Sequence, residues 1–174
     1  MWVYTGGSGK DGQIGAAAWC EERKWMANAY LRLDNHSNVY AASLMGISEA
    51  LGLGLRVRST IKQVNIFTEN QAAILSVKRP QLQSRQYILR DIARKINQLR
   101  QSNIRVCIRW IPAHSGGPGA EKASQLAKSV VKKSWEVEST IIVAPVAPIA
   151  PAAPVHQQHQ IRHREPLQQQ QLYQ

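Results

Sequence analysis

The chain has 174 residues, enough for one domain with a buried core, and its 22 Lys and Arg against 11 Asp and Glu give a formal charge of +11. That excess points to a polyanionic partner, nucleic acid foremost. No apolar run reaches the roughly 18 residues of a membrane span, and Met1-Trp2-Val3-Tyr4 leads straight into a strand pattern without a secretory leader, so a membrane or secreted protein is not expected and nucleus or cytosol is.

The elements follow in order. Trp2–Thr5 is a short apolar run, expected to stop at Gly6-Gly7-Ser8-Gly9. Gln13–Glu22 and Lys24–Leu33 read as two strands joined by the polar Glu21-Glu22-Arg23-Lys24 turn, a hairpin. From Asn38 to about Arg56, Val39, Ala42, Met45, Gly46, Ala50 and Leu53 recur at helical steps, with Ser37 or Asn38 as the cap. Gly46, Gly52 and Gly54 weaken that helix in isolation, so a packed neighbour is implied. Val64–Thr68 is a strand and Asn70–Val77 a short helix ended before Pro80. Ser84 caps a long helix to about Gln101, with Tyr87, Ile88, Ile92, Ile96 and Leu99 on one face and Arg90, Arg94, Lys95 and Arg100 mostly outward. In the last strand, Ile104–Ile111, Ile104, Val106, Ile108 and Trp110 alternate with Arg105, Cys107, Arg109 and Ile111. A glycine-rich loop then leads into a helix over about Ala120–Lys133.

The order is therefore βββαβααβα: an α/β fold, a five-stranded mixed sheet with helices on both faces. Cys20 and Cys107 fall in strands and read as free thiols. The tryptophans, Trp110 among them, are expected in core or edge packing rather than as stacking platforms. Composition changes near Ser139 to Ala-Pro repeats and then a Gln/His-rich end, which lack core formers. The expected division is a folded domain over 1–138 and a disordered tail over 139–174.

Five groups of residues carry a likeness: Tyr4-Thr5 with Gly7-Ser8-Gly9; Ile14-Gly15-Ala16-Ala17-Ala18; Val39-Tyr40-Ala41-Ala42; Phe67-Thr68 with Asn70-Gln71-Ala72-Ala73; and Arg109 to His114 with Gly116, Pro118-Gly119 and Glu121. In order and at this spacing they resemble the ribonuclease H family. The closest likeness is to the domains that follow reverse transcriptases in fungal non-LTR retroelements. The resemblance implies hydrolysis of the RNA strand of an RNA–DNA hybrid by two Mg²⁺ ions held on four carboxylates. Two close dications need hard, negatively charged oxygen ligands.

At the four acid positions this chain has Gly6, Ser43, Glu69 and Ser124. Glu69 is the one remaining acid and the one candidate metal ligand. Asp11, Glu49 and Glu121 are poor substitutes: Asp11 lies in a turn, Glu49 leaves the Ser43 face of its helix, and Glu121 matches a family residue of its own. His114 matches a loop histidine that assists turnover in the family. The resemblance also implies nucleic-acid contacts for Ser8, Asn70 and Gln71, and Lys10 and Arg85 are placed to meet phosphates. The expected function is a nucleic-acid-binding domain of retroelement origin, on RNA–DNA hybrid or duplex RNA, with little or no catalysis and doubtful Mg²⁺ binding. A weakly active hybrid ribonuclease and a protein-interaction module stay open as alternatives. Restoring all four acids together is expected to restore metal-dependent cleavage.

Overall fold

The structure, a computed structural model, describes residues 1–10, 13–32, 39–80, 86–113 and 117–140. Asp11, Ser37, Asn38, Ser84, Arg85, His114, Gly116 and residues 141–174 therefore lie outside the described residues, as do the side chains of Lys10, Leu31, Arg32 and residues 133–140. Met1–Ile142 forms one structural unit.

The first strand, β1 (Trp2–Lys10), does not stop at the glycines. It continues through them because β2 (Gln13–Cys20) pairs with it antiparallel along its length, from Val3 opposite Cys20 to Lys10 opposite Gln13. The glycines here serve close packing against helices instead of a turn. β2 is buried on nearly every residue, the pattern of a strand covered on both faces. β3 (Trp25–Arg32) completes the hairpin, and Lys24 in its turn takes a positive φ of 54°.

Two parallel additions extend the sheet to the order β3-β2-β1-β4-β5. β4 (Gln63–Thr68) runs parallel to β1, and β5 (Arg105–Trp110) runs parallel to β4. Between β3 and β4 lies α1 (Val39–Arg56); between β4 and β5 lie α2 (Gln71–Lys78) and α3 (Gln86–Gln101). α3 ends on Asn103, whose φ of 58° lets Ile104 N–H return to the Leu99 carbonyl and start β5. The last helix, α4, covers Pro118–Thr140 and is longer than its sequence pattern implied.

α1 packs on one face of β1, β2 and β3, with α3 against it; α4 packs on the other face of the same three strands. The core lies on the α1 side, where Leu44, Ile47 and Leu51 meet Val3, Ile66, Ile88, Ile92 and Leu99. Burying each such side chain stabilises the fold by roughly 1.5–3 kcal/mol. Two residues expected on buried faces are exposed instead: Val39 and Tyr87 begin or nearly begin their helices and project past the core. Lys95, expected outward, is largely buried and bonded to Ser48 and Asp91 between α1 and α3. Cys20 is a buried free thiol and Cys107 a half-buried one.

Candidate functional site

β1 and β4 pair only from Trp2 opposite Asn65 to Tyr4 opposite Phe67. Beyond that point β1 follows β2 while β4 ends at Thr68, and the two separate. Such a divergence at the carboxyl ends of parallel strands opens a crevice. It holds a cavity of about 520 Å³ whose lining includes Gly6, Ser43, Glu69 and Ser124. The four positions that were far apart in sequence thus meet at one place. Thr5 and Trp110 line it too.

Each side chain is placed by local structure. Ser43 is in the second turn of α1, buried, and its hydroxyl donates to the Val39 carbonyl at 2.8 Å, the usual return bond of a helical serine. Asn70 caps α2. Its Oδ1 accepts from Ala73 N–H at 3.1 Å, and its Nδ2 donates to Ser43 Oγ at 3.2 Å. Asn70 therefore spends both ends of its amide inside the protein, anchoring α2 to α1 across the cavity. Gln71 is exposed beside it on the cavity rim. Glu69 is exposed just past β4, and its backbone carbonyl accepts from the Trp110 indole at 3.2 Å.

Gly6 and Ser124 are pressed together. A Cβ on Gly6 would lie 2.7 Å from the Ser124 backbone nitrogen and closer still to the Ala123 carbonyl oxygen. Real Cβ atoms do not approach backbone this closely, so α4 occupies the space a side chain at Gly6 would need. Farther along, Gly15 meets α4 in the same way: its Cβ would lie 2.9 Å from Val131 Cγ2 and closer to the Ala127 carbonyl. Ala123 and Ala127, one turn apart and fully buried, bring the helix down onto these two glycines.

The remaining sequence-derived site residues are less tied to the cavity. Ser8 is half-buried on β1 and does not line it. Lys10 ends β1, and Arg85 and His114 lie outside the described residues. Among the described residues, Glu69 is the one carboxylate of the lining, and no group of three or more His, Cys, Asp or Glu side chains is placed to hold a metal ion. Thr5 was missed by sequence reasoning; its hydroxyl donates to the Phe67 carbonyl at 3.0 Å, tying β1 to β4 where they part. Trp110, expected in core or edge packing, is 46% exposed at the rim. The available signal was its position at the strand end, just before Ile111-Pro112.

A scan of family models matches RNase H over residues 1–132, about three quarters of the chain. The chain belongs to the RNase H family. Its five-stranded mixed sheet and four helices are the fold of that family, whose members act on nucleic acid, RNA–DNA hybrids in particular, and generally use Mg²⁺. The cavity gathers Gly6, Ser43, Glu69 and Ser124, the four positions at which the sequence resemblance implies acids. Comparison with curated proteins gave no match. No helix among the described residues is long and apolar enough to cross a membrane.

Proposed function

We propose that this chain is an RNase H-fold nucleic-acid-binding domain of retroelement origin in which hydrolysis has been reduced to little or nothing. The observation that carries this is the contact between the first and fourth acid positions. At Gly6 not only is the carboxylate missing; the room for one is filled by the backbone of Ala123 and Ser124. Two Mg²⁺ ions a few ångströms apart need several anionic oxygens to offset their repulsion. Among the described residues the donor set is one carboxylate, Glu69, with Ser43 already committed to Val39 and Asn70. These residues do not fit a two-metal centre.

Nucleic-acid binding outlasts catalysis on this reading, because the two rest on different chemistry. Phosphate attraction needs only positive charge, and the chain keeps a formal +11. Gln71 remains exposed on the rim with donors and an acceptor for a ribose 2′-OH. The expected ligand is RNA–DNA hybrid or duplex RNA, and the expected compartment is nucleus or cytosol. The test is a pair of measurements on purified full chain: hybrid binding at low salt, expected to be present, and hybrid cleavage with Mg²⁺ or Mn²⁺, expected to be absent. Metal-dependent cleavage lost on Glu69→Gln would overturn the reading.

A further inference from the structure

The α4 side of the sheet is only partly covered. α4 lies along β1, β2 and β3, while α1, α2 and α3 are on the opposite side. Among the described residues, no helix runs over the outer face of β4 and β5. That face is built by alternate residues: Trp2 and Tyr4 from β1; Gln63, Asn65 and Phe67 from β4; Arg105, Cys107 and Arg109 from β5. Side-chain contacts confirm that they share one surface. Gln63 Nε2 donates to Asn65 Oδ1 at 2.7 Å and reaches Cys107 Sγ at 3.7 Å. Phe67 stacks on Tyr4 at 5.1 Å between ring centroids and meets Trp2 at 5.7 Å.

The composition of this surface is specific. Trp2 is 51% exposed, Phe67 is half-buried beside it, and Arg105 and Arg109 are exposed on the neighbouring strand. None of these residues is a carboxylate. At the Arg105 end it runs into a groove of about 800 Å³ lined also by Arg58, Lys62, Ser102 and Asn103. Arg58, Lys62 and Arg105 have no ion-pair partner among the described residues. Aromatic side chains and arginine are shared with protein interfaces; it is the unpaired Arg58–Lys62–Arg105 cluster beside exposed aromatic rings that favours a polyanion carrying bases.

We infer that the open β1-β4-β5 face, with the Arg58–Lys62–Arg105 groove at its end, is a binding surface for single-stranded nucleic acid. Bases stack on Trp2 and Phe67, phosphates meet Arg105, Arg109 and Lys62, and Gln63 and Asn65 meet base or sugar edges. The surface lies on the face opposite α1 and shares no lining residue with the cavity, so it does not depend on the duplex-binding role proposed above. In a chain of this family it would let one molecule hold a single strand while the cavity side meets a duplex.

The experiment is binding of labelled twelve-residue oligouridylate and oligothymidylate to the full chain, followed by anisotropy over a salt series. Trp2→Ala is expected to weaken binding about tenfold, the order found for one base–aromatic stack, and Trp2→Phe to recover most of it. Lys62→Glu with Arg105→Glu is expected to lower the salt slope by about 1.4, at roughly 0.7 per phosphate contact. Leu75→Ala, at an exposed position of α2 on the other side of the sheet, is expected to leave single-strand affinity unchanged. Far-UV circular dichroism and melting establish that each variant is folded. The inference is overturned if the parent fails to bind either oligonucleotide at low salt, or if folded Trp2→Ala and charge-reversed variants bind as the parent does. It is also overturned if poly-glutamate displaces the probe as well as polyuridylate does, which would make the partner an acidic protein.

Discussion

The backbone nitrogen of Ser124 lies where the side chain of Gly6 would begin, 2.7 Å from its Cβ position. The sequence resemblance sets these as the first and fourth acid positions. In a two-metal site they must stand apart far enough for ions between their carboxylates. Here strand and helix have closed to backbone contact.

The first prediction concerns stability. In an ordinary strand, Gly→Ala is stabilising because alanine loses less backbone entropy on folding. Gly6→Ala is expected to do the reverse, costing roughly 1–3 kcal/mol, since the new methyl meets backbone that no side-chain rotation can clear. Gly15→Ala is expected to behave likewise. Urea denaturation of the two variants measures it, and a gain in stability at either site would mean that α4 is not so close to the sheet.

The same contact alters what restoring the acids should achieve. From sequence alone, Gly6→Asp, Ser43→Glu, Glu69→Asp and Ser124→Asp together are expected to recover cleavage. With α4 against Gly6, the fourfold variant is expected to be destabilised and inactive, and Ser124→Asp alone to be tolerated, because Ser124 already lines the cavity with a half-buried side chain. Melting temperatures and hybrid cleavage of both variants check this.

Asn70 predicts a separate effect. Asn70→Ala removes the cap of α2 and the bond to Ser43, and is expected to cost about 1 kcal/mol or more. Asn70→Ser keeps a capping oxygen and is expected to lose less. Equal losses in denaturant titrations would show that the Ser43 contact, and not the cap, dominates.

Acid sensitivity should trace to Asp91. Burial raises its pKa, but bonds from Lys95, Ser48 and Arg94 outweigh that and hold it down at about 2, from an ordinary 3.8. A depressed carboxylate contributes stability that is complete above the unfolded value and lost as pH falls through the folded one. Asp91 should therefore contribute on the order of 1 kcal/mol at neutral pH, solvent screening of its part-exposed carboxylate included, declining below about pH 4. Asp91→Asn should be clearly less stable than the parent at pH 7, and the gap should narrow toward pH 2. A gap independent of pH would contradict this.

Glu49 has the opposite sign. Burial pushes its carboxyl up, helped by nearby Asp91 and opposed by Lys95 and Arg56. Its ionised form is disfavoured in the fold, so stability is lost as pH rises through the folded value. Glu49→Gln is expected to equal or exceed parental stability at pH 7, with the difference vanishing below the ordinary 4.5. Melting curves at the two pH values decide it.

Much of this architecture was legible from periodicity. The alternation in β4 and β5 and the three- and four-residue steps of α1 and α3 follow directly from which side must face the core. β1 was misread because Gly6-Gly7-Ser8-Gly9 carries the composition of a turn; only pairing with β2 and the approach of α4 reveal it as strand. The four site positions were legible as motifs. Their mutual geometry was not, since the Gly6–Ser124 contact depends on how far α4 settles onto Gly15, a docking distance that local sequence does not encode. Asn70 shows the same limit: its type and place suggested a groove contact, while its cap and its bond to Ser43 arise only from the meeting of α1 and α2.

The most direct test of the non-catalytic reading is cleavage of an RNA–DNA hybrid by purified full chain in Mg²⁺ and in Mn²⁺, with Glu69→Gln in parallel. The account predicts an intact RNA strand in every reaction, alongside hybrid binding that weakens with salt. RNA products that require the metal and disappear with Glu69→Gln would contradict it.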